Sequence, residues 1–439
     1  MSFNALHKFF ANSSIFNTLR KNVKVVKWAD SRPAMFPCLE KFIGPNLHGI
    51  ELTPIVEFDR TQQRHLLDIL GTQCPGLLSF SISDRRLDGG DAVFNFVLNK
   101  RSLREMTFYS MEASGLTMLE ADQFLSLAQR PNLTVLEMPY VGFSSWIEIL
   151  PTLQRTPSSW FRSLRVLSLN FFDLNESTCE FFRIVPLEHL TSIAIYANFQ
   201  PEREVIKDHL EILTGYPSLN SIRLILQDDH SDGEGWTYED VVTDLNVREE
   251  HVIDHNALAP LSRLPLPNLL QLTINAPFLS TNAALLEGLT SALSNIVTLD
   301  IAETRYIGKL ASAPLTALDA LARNCPNLVS ARLSVDAETN IFHIRSFQVT
   351  RSSSSLRYLT LVDSTIGLRT ADWIGAYIVA LFPALCGLSV EFTDYTPPVW
   401  REVTAKGGRR SMITGGMQDH KLYMNGFSNV VAHRDIESE

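Results

Sequence analysis

One apolar spacing recurs along most of this chain: three apolar residues set 3 and then 2 apart, in the pattern Leu-x-x-Leu-x-Leu. Its twelve copies begin at Leu47, Leu77, Leu103, Leu133, Leu164, Leu190, Leu219, Leu269, Ile296, Leu328, Leu356 and Leu385. Successive starts lie 26 to 32 residues apart, except for one interval of 50 between Leu219 and Leu269. A single copy arises by chance in any apolar sequence, but a dozen at a near-constant period do not. The last two apolar residues of each copy fall on one face of an extended strand, and the residues between them project from the other.

The segments between copies read as helices. Arg60 to Gly71, Leu119 to Gln129, Glu202 to Thr214, Asn282 to Leu293, Leu315 to Ala322 and Ala371 to Leu381 each carry an apolar stripe at helical period. Pro75, Pro131, Pro217, Pro267, Pro326 and Pro383 stand just before the next strand, where proline ends a helix and sets the turn. One such unit cannot bury its apolar face alone, whereas stacked units share a core. Strand, helix and a period in the twenties specify an α/β leucine-rich-repeat solenoid of twelve to thirteen units. The expected form is a ribonuclease-inhibitor-like horseshoe with parallel strands on the concave face and helices on the convex face. The Asn that many such repeats place after the third apolar residue is largely missing, so the backbone there must be satisfied by other groups.

The pattern implies three regions: an N-terminal capping repeat over 1–34, the array over 35–395, and a C-terminal cap with a polar tail over 396–439. The long interval holds an insertion, Asp228 to Glu250, with nine acidic residues and only Arg248 as a base. It reads as an exposed loop, with a divalent cation or a basic partner as alternatives to plain solvation. The calcium-loop pattern D-x-[DN]-x-[DN]-G-x₅-E is absent from it.

Net charge of −10 argues against a general nucleic-acid or anionic-membrane binder. No window is apolar and long enough for a membrane span, and Met1 to Leu19 does not read as a signal peptide. The five cysteines are scattered without a C-x-x-C pair, the usage of a reducing compartment. A cytoplasmic or nuclear location is therefore expected. Cys74 and Cys325 occupy the same helix-end slot of their repeats, which favours packing over chemistry.

Two of those helix ends, Leu67-Asp-Ile-Leu-Gly-Thr-Gln-Cys-Pro-Gly-Leu77 and Leu318-Asp-Ala-Leu-Ala-Arg-Asn-Cys-Pro-Asn-Leu328, resemble the cysteine-containing repeats of F-box proteins. Over residues 1 to 395 the chain is similar to fungal F-box/leucine-rich-repeat-like proteins. That resemblance implies a substrate receptor of a Skp–cullin–F-box ubiquitin ligase, whose F-box helices precede the repeats and dock a Skp-family adaptor. Residues 1 to 28 show no Leu-Pro-x-Glu-[Ile/Leu] start, so such an adaptor is expected only if an F-box lies upstream. A ligase-independent adaptor or degenerate paralogue is the alternative, and an enzyme using the region beyond Pro397 a remote one.

The expected working surface is the concave face. Between the apolar residues project Glu137, Arg223, Asp300 and Arg332, with Tyr109, Tyr196 and Tyr358 at neighbouring positions. Small polar residues studded with Tyr and Arg suit a protein ligand, the bland alternative being ordinary solvated strand residues. Arg223 and Arg332 are expected to be replaceable without loss of stability. No catalytic residue, cofactor or metal site is expected: G-x-S-x-G, G-x-G-x-x-G and H-E-x-x-H are all absent.

Overall fold

The computed structural model describes residues 20–30, 32–52, 59–83, 90–109, 120–137, 143–155, 160–171, 173–198, 200–227, 249–263, 266–303, 313–336, 354–362, 364, 371–391 and 421–423. Residues 1–19, most of the acidic insertion (228–248) and most of the region beyond Pro397 lie outside this set. The chain forms two compact units, Met1–Phe172 with Glu180–Ile195, and Asp173–Cys179 with Tyr196–Glu439.

The first unit carries strands β1 (Val25–Trp28), β2 (Gly49–Leu52), β3 (Ser79–Ser83), β4 (Glu105–Tyr109), β5 (Val135–Glu137) and β6 (Val166–Phe171). They pair in parallel in sequence order. Helices α1 (Phe36–Glu40), α2 (Arg60–Gln73), α3 (Gly90–Asn99), α4 (Ala121–Ala128) and α5 (Phe143–Arg155) alternate with them. The division between units falls inside α6 (Glu176–Ile184) and β7 (Ser192–Ala197).

In the second unit β8 (Ser221–Leu226), β9 (Gln271–Ala276), β10 (Thr298–Glu303), β12 (Ser330–Leu333), β14 (Tyr358–Val362) and β15 (Gly387–Glu391) form a parallel series. Its helices are α7 (Arg203–Leu213), α8 (Ala259–Arg263), α9 (Ala283–Ala292), α10 (Leu318–Asn324) and α11 (Ala371–Leu381). Two-residue strands β11 (Ala313–Pro314) and β13 (Val335–Asp336) pair separately, and β16 (Lys421–Tyr423) adds antiparallel to β15. Parallel strands alternating with helices make this a leucine-rich-repeat solenoid, with a helix described in every interval but that from β12 to β14, and each of the twelve Leu-x-x-Leu-x-Leu copies runs into one of its strands.

The reason is visible in burial. The apolar residues of the motif whose side chains are described are sealed, as at Leu77, Phe80 and Ile82 or Leu269, Leu272 and Ile274. The exception is the last copy, where Leu385 and Leu388 are only half-buried. Truncating one sealed leucine costs about 2–5 kcal/mol. The first unit adds an aromatic cluster in which Phe124, Trp146, Phe161 and Phe181 lie with ring centroids 5.0–6.5 Å apart.

Strand entry is locked by one repeated device. The residue after the first leucine offers its carbonyl to two consecutive N–H groups of the next repeat. Arg104 accepts from Thr134 and Val135 at 2.8 and 3.1 Å, and Val329 accepts from Arg357 and Tyr358 at 2.9 and 3.1 Å. The residue before the first leucine adds a side-chain rung. Ser163, Asn268 and Asn295 donate to the carbonyls of Pro131, Pro217 and Pro267 at 2.6, 2.9 and 2.9 Å.

At the far ends of the strands, where the usual Asn is missing, other groups serve. The Ser334 and Ser364 hydroxyls accept from the N–H of Glu303 and Val335. Buried Gln200 accepts from Phe278 N–H at 2.8 Å and donates to the Phe278 and His251 carbonyls.

Candidate functional site

The parallel register lines the middle projecting residues into columns. In the first unit Lys27, Glu51, Ser81, Thr107, Glu137 and Ser168 stand side by side. In the second the column is Arg223, Thr273, Asp300, Arg332, Thr360 and Ser389. Side chains two apart on a strand share a face, so Tyr358 stands on the same surface as Thr360.

Within the columns many polar groups are paired with each other. Lys27 reaches Glu51 at 2.7 Å, the Thr107 hydroxyl donates to Glu137 at 2.9 Å, and Thr360 and Ser389 share a hydrogen bond of 2.8 Å. Arg332 is the most committed residue. Its Nη1 donates to Asp300 Oδ1 at 3.0 Å and its Nε to Glu391 Oε2 at 2.9 Å, and the Asn275 amide packs against the same pair. Burial pulls its guanidinium pKa down, but the charges of Asp300 and Glu391 more than offset that, and the net shift is upward. Arg332 and Asp300, singled out separately in sequence as partner contacts, therefore bind one another.

Arg223 is exposed and has no side-chain partner among the described residues. Tyr358 is 54% exposed and lies over Gly387, where a side chain's Cβ would stand 3.2 Å from the ring. Gly387 thus leaves the ring room to lie on the next strand. Tyr196 is half-buried, and Tyr109 pairs through its backbone with Ser83. Glu137 lies in the first unit, while Arg223, Asp300, Arg332 and Tyr358 share one strand face in the second.

Cys74 and Cys325 end α2 and α10 with nearly the same backbone, φ −118° and ψ 67° or 71°. The Cys74 thiol donates to Gly44 O at 3.3 Å. Burial pushes the Cys325 thiol up to about 12 and raises Cys74 as well, so both stay protonated and inert.

A cluster that local spacing did not reveal lies in the second unit. The His209 ring contacts Thr178 Oγ1 at 2.9 Å, Cys179 Sγ at 3.1 Å and Val205 O at 2.8 Å. Thr178 and Cys179 stand about one repeat before His209 in sequence, and only stacking brings them together. Cys179 and His209 are 2% and 1% exposed, so this cysteine–histidine contact is closed to a substrate. No group of three or more His, Cys, Asp or Glu side chains suited to a metal occurs among the described residues. No helix among them is long and apolar enough to cross a membrane.

No protein-family model and no curated protein sequence matches this chain. Among solved structures it is similar to a chain of the Rad7 and Elc1 complex in yeast, with 14% identity over 83% of this chain and 94% of that one, at a TM-score of 0.45. It is also similar to the leucine-rich repeat-containing protein LegL7 from Legionella pneumophila, with 12% identity over 88% and 98% and a TM-score of 0.33.

Proposed function

We propose that the protein is an interaction scaffold that holds another protein against the strand face of its second unit. One observation carries this reading. Arg223 and Tyr358 are exposed on a face where Arg332 pairs with Asp300 and Glu391, and Thr360 with Ser389. They stand four strands apart, about 19 Å at the usual strand spacing. An unpaired arginine and an aromatic ring are the residue types that most often anchor an interface, and the small residues between them let a partner approach the backbone. Arg332, Asp300 and Glu391 form the rigid floor between the anchors.

The finer reading is the target-binding part of an F-box-type receptor, resting on the resemblance of the Cys-Pro helix ends. A ligase-independent adaptor is the second reading.

Quantitative affinity purification with Arg223→Glu and Tyr358→Ala tests the scaffold. Both variants are expected to lose a shared co-purifying protein by tenfold or more at unchanged melting temperature. Retention of every partner by the double variant sinks the reading. Repeated absence of a Skp-family adaptor and a cullin from the purified wild type sinks the ligase version alone.

A further inference from the structure

The turns that feed the strands of the second unit carry a neutral groove. Three repeats in succession place an asparagine just before the first apolar position of the motif, at Asn268, Asn295 and Asn327. Each stands three residues ahead of its strand, and the register of β9, β10 and β12 sets them side by side. The residues just after that apolar position, Leu270, Val297 and Val329, form an apolar strip beside them, with Asn220 in the same slot before β8. A groove of about 440 Å³ opens between these two rows, and none of the residues that line it is charged. Leu270 is 43% exposed, a large apolar side chain left in water. In the first unit the same slot holds Arg104, Thr134 and Arg165 in successive repeats.

The groups that can meet a ligand here are carboxamides. The backbone is already used, since the Asn220, Leu270 and Val297 carbonyls each accept from two N–H groups of the next repeat at 2.8–3.2 Å. Asn268 and Asn295 each use one side-chain N–H on the Pro217 and Pro267 carbonyls, both at 2.9 Å, which leaves each an oxygen and a second N–H. All four asparagines are exposed, and Asn220 and Asn327 make no side-chain hydrogen bond among the described residues. A carboxamide both donates and accepts, as a peptide group does, so the row matches the main chain of a partner.

Spacing selects the conformation of that main chain. Neighbouring strands lie about 4.8 Å apart, so Asn268 and Asn327, two strands apart, are separated by about 9.6 Å. One turn of polyproline II, three residues at about 3.1 Å each, advances about 9.3 Å and leaves every main-chain group without an internal partner. An extended β-strand repeats its face every two residues, about 6.8 Å, which matches neither one strand interval nor two. An α-helix satisfies its main chain internally and has no use for the carboxamides. We propose that this groove binds an uncharged, proline-rich segment of a protein partner in the polyproline II conformation. The proline rings lie on Leu270 and Val297, and the carbonyls of the segment accept from the asparagine N–H groups. A charged side chain would lose water in the groove and gain no opposite charge there. This surface goes beyond the scaffold reading and does not use Arg223 or Tyr358, so failure of one leaves the other to be scored.

The test is fluorescence polarisation of the full chain with a labelled nonapeptide library, x-Pro-x-x-Pro-x-x-Pro-x with x drawn from uncharged residues, beside the same library with alanine for proline. The proline library is expected to bind at least tenfold more tightly. Leu270→Glu should remove that preference at unchanged melting temperature, because the side chain it replaces is exposed. Asn327→Asp, which keeps the shape and removes the donor, should weaken the proline library by about tenfold while the alanine library changes little. Arg165→Ala, in the same slot of the first unit, should change nothing. Equal binding of the two libraries overturns the proposal, as does proline-library binding that survives both Leu270→Glu and Asn327→Asp. Maltohexaose that binds more tightly than the peptides, with the same dependence on Leu270 and Asn327, overturns it in favour of a neutral glycan.

Discussion

At the scale of single residues, Arg332 shows how position in a column changes a side chain's role. A surface arginine is ordinarily replaceable, but this one neutralises Asp300 and Glu391 at 3.0 and 2.9 Å with about a quarter of each side chain exposed. Arg332→Glu would set a third carboxylate between them, so the expectation that Arg332 tolerates reversal does not survive its contacts. The expected loss is about 2 kcal/mol, less than for a fully buried pair because water still screens the site. Urea denaturation measures it, and a cycle with Glu391→Gln should return a coupling near 1 kcal/mol.

The cysteines make a second residue-scale case. Exposed Cys386 should react with iodoacetamide in the native protein, while Cys74, Cys179 and Cys325 should stay unmodified until denaturant is added, as read by mass spectrometry. Cys325 also links stability to pH. Its folded pKa is raised, so its contribution is complete below the unfolded value of about 8.5 and falls as pH rises toward about 12. The fall is at most about 1.4 kcal/mol per pH unit. Cys325→Ala should therefore flatten the decline in melting temperature between pH 9 and 11.

At the scale of elements, the helices are held at their ends as much as along their length. Asp59 accepts from Gln62 N–H at 2.7 Å while the Gln62 side chain returns to Asp59 N–H, a reciprocal cap on α2. Asn282 does the same one-sidedly for α9, accepting from Leu285 N–H at 2.8 Å. The proline-carbonyl rungs tie each turn to the preceding one. Asn268→Ala and Asn295→Ala should each cost about 1 kcal/mol, since each removes a hydrogen bond that joins two repeats rather than one that closes a single turn. Their sum in the double variant is expected to depart from additivity, because Asn295 donates to Pro267, the neighbour of Asn268. Equilibrium unfolding of the four proteins checks both points.

At the scale of the molecule, contacts in a solenoid join repeats one or two apart, so damage should stay local. Phe181 is sealed against Phe124, Trp146 and Phe161 in the first unit. Phe181→Ala should cost about 3–5 kcal/mol. Native-state hydrogen exchange should show faster exchange across α4 and α5 while β12 and β14 keep their protection. Uniform loss across both units would mean that folding is cooperative over a longer range than neighbouring repeats.

What could be read from the chain alone was whatever repeats. A Leu-x-x-Leu-x-Leu every 26 to 32 residues specifies strand, face and fold class, because the apolar spacing and the need to stack leave no other way to bury those leucines. Helix ends at Cys74 and Cys325 were legible for the same reason. The short helices α1 and α8 and the pair β11 and β13 were not, since a few residues carry too little periodicity. Only the tertiary structure decided which projecting residues are free. Arg223 and Arg332 are indistinguishable as letters at the same motif position, but register sets Arg332 beside Asp300, with Glu391 two strands on within reach of its side chain, while Arg223 stands beside Thr273 and is exposed. Side-chain partners in a solenoid come from turns one or two repeats away, and how the turns align is settled by packing, not by neighbours in sequence.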